Sequence, residues 1–276
     1  MPVVIPAANM VAFVIGFLTT FILPLALIVA LLVKRKITWL PLALGAATFF
    51  VSQIMLRLPL LSLLATTGWW RTFATHFVAF TLVVAFSAGL FEEGARLGGA
   101  LLLRGQNSYR DIISFGLGHG LCEAILIVGM THVNNLVFSM AINDPTAFGG
   151  VMALVPAETL EVVGVQIATV NPLYVYAGIL ERVGAVLFHI FATFLIFQGV
   201  IRHRKVLYLI VAILAHTAFN FLVVMLAQSV GTIATTVIIL LIGAAAAWYV
   251  WQKRPVAIPA YSAEKDALIQ LPPDRR

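Results

Sequence analysis

Seven runs of apolar residues, each about twenty or more long, alternate with short clusters of Lys and Arg, and this alternation restricts what the chain can fold into. Wound as a helix, a run of that length matches the roughly 30 Å hydrocarbon thickness of a bilayer. A helix also satisfies its own backbone in lipid, which a lone strand cannot do. The runs fall at residues 10–33, 39–64, 73–103, 112–137, 173–201, 206–227 and 233–251. With 62% of its 276 residues hydrophobic and 10% charged, the chain lies outside the range of ordinary soluble domains. The expected fold is all-α: a polytopic transmembrane helix bundle of about seven spans.

The net charge of +6 does not point to nucleic acid, because the basic residues sit at the ends of the runs. Lys34-Arg35-Lys36, Arg104 and Arg110, Arg202-His203-Arg204-Lys205, and Lys253-Arg254 mark one side of the membrane, the cytoplasmic side by the positive-inside rule. The N-terminus is then outside and the C-terminus inside. Residues 138–172 hold Asp144, Glu158 and Glu161 but no Lys or Arg, as an external connection should. Within it, 151–168 is apolar enough to lie on the membrane or dip into it, which leaves an eighth crossing open. Arg57, towards the far end of the second run, is read as snorkelling to the interface beside Gly68-Trp69-Trp70-Arg71, an aromatic anchor. Residues 1–254 form the membrane domain, and 255–276 read as a polar, proline-bearing tail, disordered in the cytosol. The one cysteine, Cys122, allows no intrachain disulfide. Residues 1–10 lack the positive start of a targeting peptide.

Within the third run stand Phe91-Glu92-Glu93-Gly94-Ala95-Arg96. Each charge near the middle of a span costs roughly 2.5–3.5 kcal/mol on insertion scales. Helical spacing lets either glutamate share a face with Arg96, at i,i+4 for Glu92 and i,i+3 for Glu93. A structural ion pair needs one carboxylate. The second is then free to take a proton from water, the task of a general base.

The histidines supply partners at the same depth. Counted from the basic ends at about 1.5 Å per residue, Glu92 lies roughly 16 Å in, His119 roughly 12, His189 roughly 18 and His216 roughly 15, with Glu123 near 18 and Asn220 near 21. A lone intramembrane histidine is more often a packing residue. Here each has a polar residue four positions on: Glu123 after His119, Thr193 after His189, Asn220 after His216. Glu181 and Arg182, nearer the outer surface, read as a structural ion pair.

The ordered set Glu92-Glu93-x-x-Arg96, Phe115-x-x-x-His119 and His216-x-x-x-Asn220 resembles the glutamic intramembrane proteases of the CAAX-processing and bacteriocin-processing superfamily (CPBP, or ABI). The chain as a whole looks most like its YhfC-like branch. The resemblance implies a glutamic-type intramembrane endopeptidase, multi-pass in a bacterial or archaeal plasma membrane, acting on a membrane-bound protein or peptide. Glu92 and His119 would hold and activate the attacking water, His216 and Asn220 would bind the oxyanion, and Arg96 would orient a carboxylate. Glu123 and His189 would support them. Arg96 follows the glutamate pair after two residues, where the CAAX-processing enzymes have three, a rotation of about 100° on the helix. Either Glu92 or Glu93 can therefore be the base; Glu93 is assigned to Arg96 and Glu92 to the water.

Two other readings stay open. His119, His189, His216 and Glu92 are also legitimate zinc ligands. No His-Glu-x-x-His run is present, so no cofactor is the first expectation and zinc the alternative. The other class of function is a proton-coupled transporter or channel with a Glu/His relay. The assumed sidedness has its own test. In a chain with Cys122→Ser, a cysteine at Ala147 should react with an impermeant thiol reagent in intact cells, and reaction only after permeabilisation would invert the topology.

Overall fold

The computed structural model describes residues 3–103, 105–152 and 155–254, and every regular element among them is helical. In chain order these are α1 (Ala7–Val33), α2 (Trp39–Ala65), α3 (Gly68–Ala74), α4 (Phe77–Leu102), α5 (Tyr109–Asn143), a single turn at Gly149–Met152, α6 (Ala157–Thr169), α7 (Pro172–Ile201), α8 (Lys205–Val230) and α9 (Thr232–Gln252). Seven are long and apolar enough to cross a membrane; α3 and α6 are not among them. Arg104 and the tail 255–276 lie outside the described residues.

Three boundaries differ from the expectation. The third run is not one helix: the chain turns at Thr75 and His76, and α3 folds back so that Trp70 packs on Phe73 and Phe80. The fourth span extends over all of 109–143, started by a capping box in which Ser108 and Asp111 satisfy each other's backbone N–H. Thr38 donates to the same Asp111 at 2.7 Å, which joins the α1–α2 turn to the start of α5. The ambiguous stretch 151–168 contains α6, whose 13 residues span only about 20 Å and cannot cross a bilayer. Asn9 on α1 donates to the carbonyls of Ile167, Ala168 and Val170, fixing the end of α6 to the bundle.

Three spans contain a stretch of i→i+5 hydrogen bonding: Leu18–Ile22 in α1, Phe50–Arg57 in α2 and Ala124–Gly129 in α5. Two of these precede a proline, Pro24 and Pro59. Proline lacks an N–H and crowds the carbonyl four residues back, and a wider turn relieves both effects.

Close approach of helices is set by glycine. At Gly45 on α2 a Cβ would collide with the Phe115 carbonyl of α5, and at Gly118 on α5 with the Leu42 carbonyl of α2, so the two backbones touch reciprocally. Gly116 and Gly120 face α7 at Ile190 and His189. His119 thus stands between glycines that admit helices on two sides.

The basic end of the bundle is filled by Ile112, Phe115, Phe194, Phe197, Ala212 and their neighbours. Towards the opposite end a cavity of about 570 Å³ opens between α2, α4, α5 and α8. Gly45→Ala and Gly118→Ala should each destabilise the protein by about 1–3 kcal/mol. Gly94→Ala, where a Cβ meets nothing within 4 Å, should leave the unfolding midpoint in detergent unchanged or raised.

Candidate active site

The structure brings Glu92, Glu93 and Arg96 of α4 together with His119 of α5, His189 of α7 and His216 of α8, all buried. Arg96 is wholly enclosed and uses four of its five N–H groups. Its Nε donates to Glu93 Oε2 at 2.9 Å, Nη1 to Thr193 Oγ1 at 2.7 Å and to the His189 carbonyl at 3.3 Å, and Nη2 to His189 Nδ1 at 3.1 Å. The other Glu93 oxygen accepts from His216 Nδ1 at 2.7 Å. Glu93 is therefore the paired carboxylate, matching the i,i+3 expectation.

Glu92 has a different environment. Its Oε1 accepts from Gln53 Nε2 at 2.8 Å. Its Oε2 lies 2.9 Å from His119 Nε2, 3.7 Å from His216 Nε2 and 3.9 Å from His189 Nδ1. The hydrogen-bond network assigns the tautomers. Thr48 gives its hydroxyl proton to the Gly45 carbonyl at 2.7 Å and so accepts from His119 Nδ1 at 3.1 Å. Glu93 accepts from His216 Nδ1, and Arg96, which can only donate, faces His189 Nδ1, leaving His189 Nε2 to donate to Glu123. His119 and His216 then turn a lone pair inward, towards Glu92 Oε2, while the lone pair of His189 Nδ1 is taken by Arg96.

Such a convergence of acceptors calls for a cation or for shared protons between them. The set fits zinc. Imidazole nitrogens 2.9, 3.7 and 3.9 Å from one carboxylate oxygen are gathered closely enough for small adjustments to let them share an ion, the ligand atoms of a tetrahedral zinc lying roughly 3.4 Å apart. Glu92, His189 and His216 each offer an atom within 4.8 Å of the others. The far nitrogen of every ring is held by an oxygen, from Thr48, Glu123 or Glu93, the outer-shell support that orients metal-binding histidines.

The sequence model of the YhfC family, described as YhfC intramembrane metalloprotease, matches residues 19–255. The chain belongs to this family. It is 29% identical over 246 residues to the protein described as "Uncharacterized membrane protein YhfC" of Bacillus subtilis (strain 168), which covers 85% of this chain and 92% of that relative. No solved structure matches the YhfC-family chain.

Several side chains take partners other than those their helix spacing suggests. Glu123 bonds not to His119 but across to α7, to His189 and, at 3.1 Å, to Arg182. Glu181 and Arg182 are not an ion pair: adjacent residues on a helix point apart, and Glu181 accepts from Thr236 at 2.8 Å instead. Thr193 serves Arg96 rather than His189. Asn220 lines the cavity beside Glu92, with no hydrogen bond among the described residues. Arg57 does not snorkel. It turns inward, where Ser87, Gln53 and the Val84 carbonyl accept its N–H groups. Gln53 and Thr48 escape sequence reasoning. Gln53 carries a weak signal, a second polar residue one turn before Arg57 in an apolar run; Thr48 carries none.

Arg96→Met would leave Glu93 buried without its cation, and a loss of about 3–5 kcal/mol is expected. Glu93→Leu combined with Arg96→Met should cost less than the two single changes together, measured as a double-mutant cycle on unfolding in detergent.

Proposed function

We propose that this protein is a metal-dependent intramembrane protease in which His119 Nε2, His216 Nε2 and, once released from Arg96, His189 Nδ1 would hold zinc and Glu92 is the general base. The observation that carries the reading is the gathering of three imidazole nitrogens within 2.9–3.9 Å of Glu92 Oε2, those of His119 and His216 with a free lone pair, and each ring braced from behind. The family's description as metalloproteases supports it. The metal-free glutamic mechanism suggested by the CAAX-processing resemblance shares Glu92 as base and differs in what holds the water. The absent His-Glu-x-x-His run carries little weight here, because that motif places two ligands on one helix whereas these histidines come one each from α5, α7 and α8.

The chemistry such an ion supplies when bound is Lewis acidity towards a carbonyl and towards water. The chain does the rest. Glu92, held at Oε1 by Gln53, takes a proton from the attacking water as its oxygen bonds to the scissile carbonyl carbon. It returns that proton to the nitrogen as the C–N bond breaks. Asn220, its amide free in the cavity, donates to the developing oxyanion. Arg96 touches no substrate and positions His189 and Glu93. The packed apolar basic end favours a site entered from one side over a transporter's through-path.

Purified protein should carry about one zinc per chain, and His119→Ala or His216→Ala should lose it. Glu92→Gln should keep the ion while activity falls about 100- to 10,000-fold. Activity is read as a cleavage product present in membranes bearing the native protein and missing with the variant. Active protein free of metal would restore the glutamic mechanism.

A further inference from the structure

The cavity beside Glu92 has mostly apolar walls, formed in part by Phe49, Leu58, Phe77, Phe80 and Val84. The cation in its lining is Arg57. Of the five N–H groups on its guanidinium, three are taken: Nε by Ser87 Oγ at 2.9 Å, one on Nη1 by Gln53 Oε1 at 2.8 Å and one on Nη2 by the Val84 carbonyl at 2.9 Å. All three acceptors are neutral. Among the described residues no carboxylate lies within salt-bridge distance of Arg57, in contrast to Arg96 and Arg182. A buried guanidinium with two donors in hand and no carboxylate in direct contact, Glu92 acting on it only across the Gln53 amide, in the wall of a pocket that reaches the proposed base, is costly unless a ligand uses it.

We propose that Arg57 is the substrate anchor of this site and binds a carboxylate of the peptide to be cut, while the apolar walls take the flanking side chains. The proposal rests on the protease reading above. Its geometry is defined by Gln53, whose Oε1 faces Arg57 and whose Nε2 faces Glu92, so that one amide separates the guanidinium from the base. Two hydrogen bonds and an amide amount to about 8 Å at most. An extended peptide advances about 3.3 Å per residue, which places the recognised carboxylate two or three residues from the scissile bond. Planar, bidentate pairing with carboxylate is what a guanidinium with N–H groups left on both Nη atoms provides. The carboxylate can come from an Asp or Glu side chain or from a C-terminus. Because Arg57 also orients Gln53, loss of activity alone would not separate anchoring from positioning.

The test uses purified full-length protein in detergent and three matched sets of fluorescence-quenched apolar peptides. One has Glu at a varied position and an amidated C-terminus, one has Gln there with the same amide, and one has Gln and a free C-terminus two or three residues past the bond. The native enzyme should cut one of the carboxylate sets about tenfold or more faster in kcat/KM than the neutral set, and which of the two it prefers identifies the source. In Arg57→Gln that ratio should collapse towards one, and in Arg57→Lys it should recover in part. Equal cleavage of all three sets by the native protein, or a ratio that survives Arg57→Gln, overturns the anchor and leaves the protease reading standing. If the native protein cuts none of them, the protease reading fails and takes the anchor with it.

Discussion

Two carboxylates and a guanidinium inside a membrane bundle persist only as a set in which nearly every donor finds an acceptor, because each unpaired charge there costs several kcal/mol. Arg96 and Glu93 meet that condition by reaching well beyond their own helix: Thr193, the His189 carbonyl and His189 Nδ1 take three further guanidinium protons, and His216 takes the remaining carboxylate oxygen. α4, α7 and α8 are drawn together by these bonds, and α5 is added through His119 at Glu92. Helices cannot come that close with ordinary side chains between them. Gly89 faces the Ile213 carbonyl of α8, and Gly116 and Gly120 face α7. The polar set and the small residues are two expressions of one requirement: short bonds across helix interfaces need thin interfaces.

That requirement explains what could be read from the residues alone. Span positions follow from hydropathy, and the common depth of Glu92, His119, His189 and His216 follows from span ends marked by Lys and Arg. Helical spacing allowed Arg96 to pair with Glu92 or Glu93, and the structure has it on Glu93. Partner choice between helices is another matter, since spacing along a helix says which residues share a face but not which neighbouring helix that face meets. Glu123 shares a face with His119 and still bonds to His189, because α5 lies against α7 at Gly116 and Gly120. Glu181 and Arg182 read as a pair by proximity in sequence and were separated by the same geometry. The contribution of α2 was least legible. Threonine is unremarkable in a span, and an arginine eight residues from a helix end looks equally able to reach water, so Thr48 and Arg57 gave no cue that they turn inward.

On the proposed protease reading, the two halves of the bundle would divide the work of hydrolysis. Peptide hydrolysis in a membrane needs water and substrate at one point and a dry, fixed surround everywhere else, since dipoles aimed at a developing charge act most strongly where the dielectric is low. The basic half, filled by Phe115, Phe194, Phe197 and their neighbours, supplies the surround. The opposite half supplies access, through a cavity reaching from Phe77 and Phe80 down to Glu92, Glu123 and Asn220. Every inward-facing histidine therefore has solid packing or a hydrogen-bonded oxygen behind it and Glu92 in front.

The wide turns of α2 and α5 fall at the border between these halves. In α2 the i→i+5 stretch Phe50–Arg57 contains both Gln53 and Arg57, and in α5 the stretch Ala124–Gly129 begins directly after Glu123. Such a turn accommodates one more residue than an α-turn, and with it the side chains beyond are rotated relative to those before. On α2 this lets Thr48, in regular helix, face His119 while Gln53 and Arg57, in the wide turn, face α4. One helix thereby braces a histidine from behind and holds the carboxylate from the front. A regular helix would place residues 48, 53 and 57 at about 0°, 140° and 180° around its axis, with the threonine and the arginine on opposite sides. Proline at 59 favours the wider turn by removing an N–H that regular winding would need, so a local backbone property of α2 is tied to the geometry of a site centred on other helices.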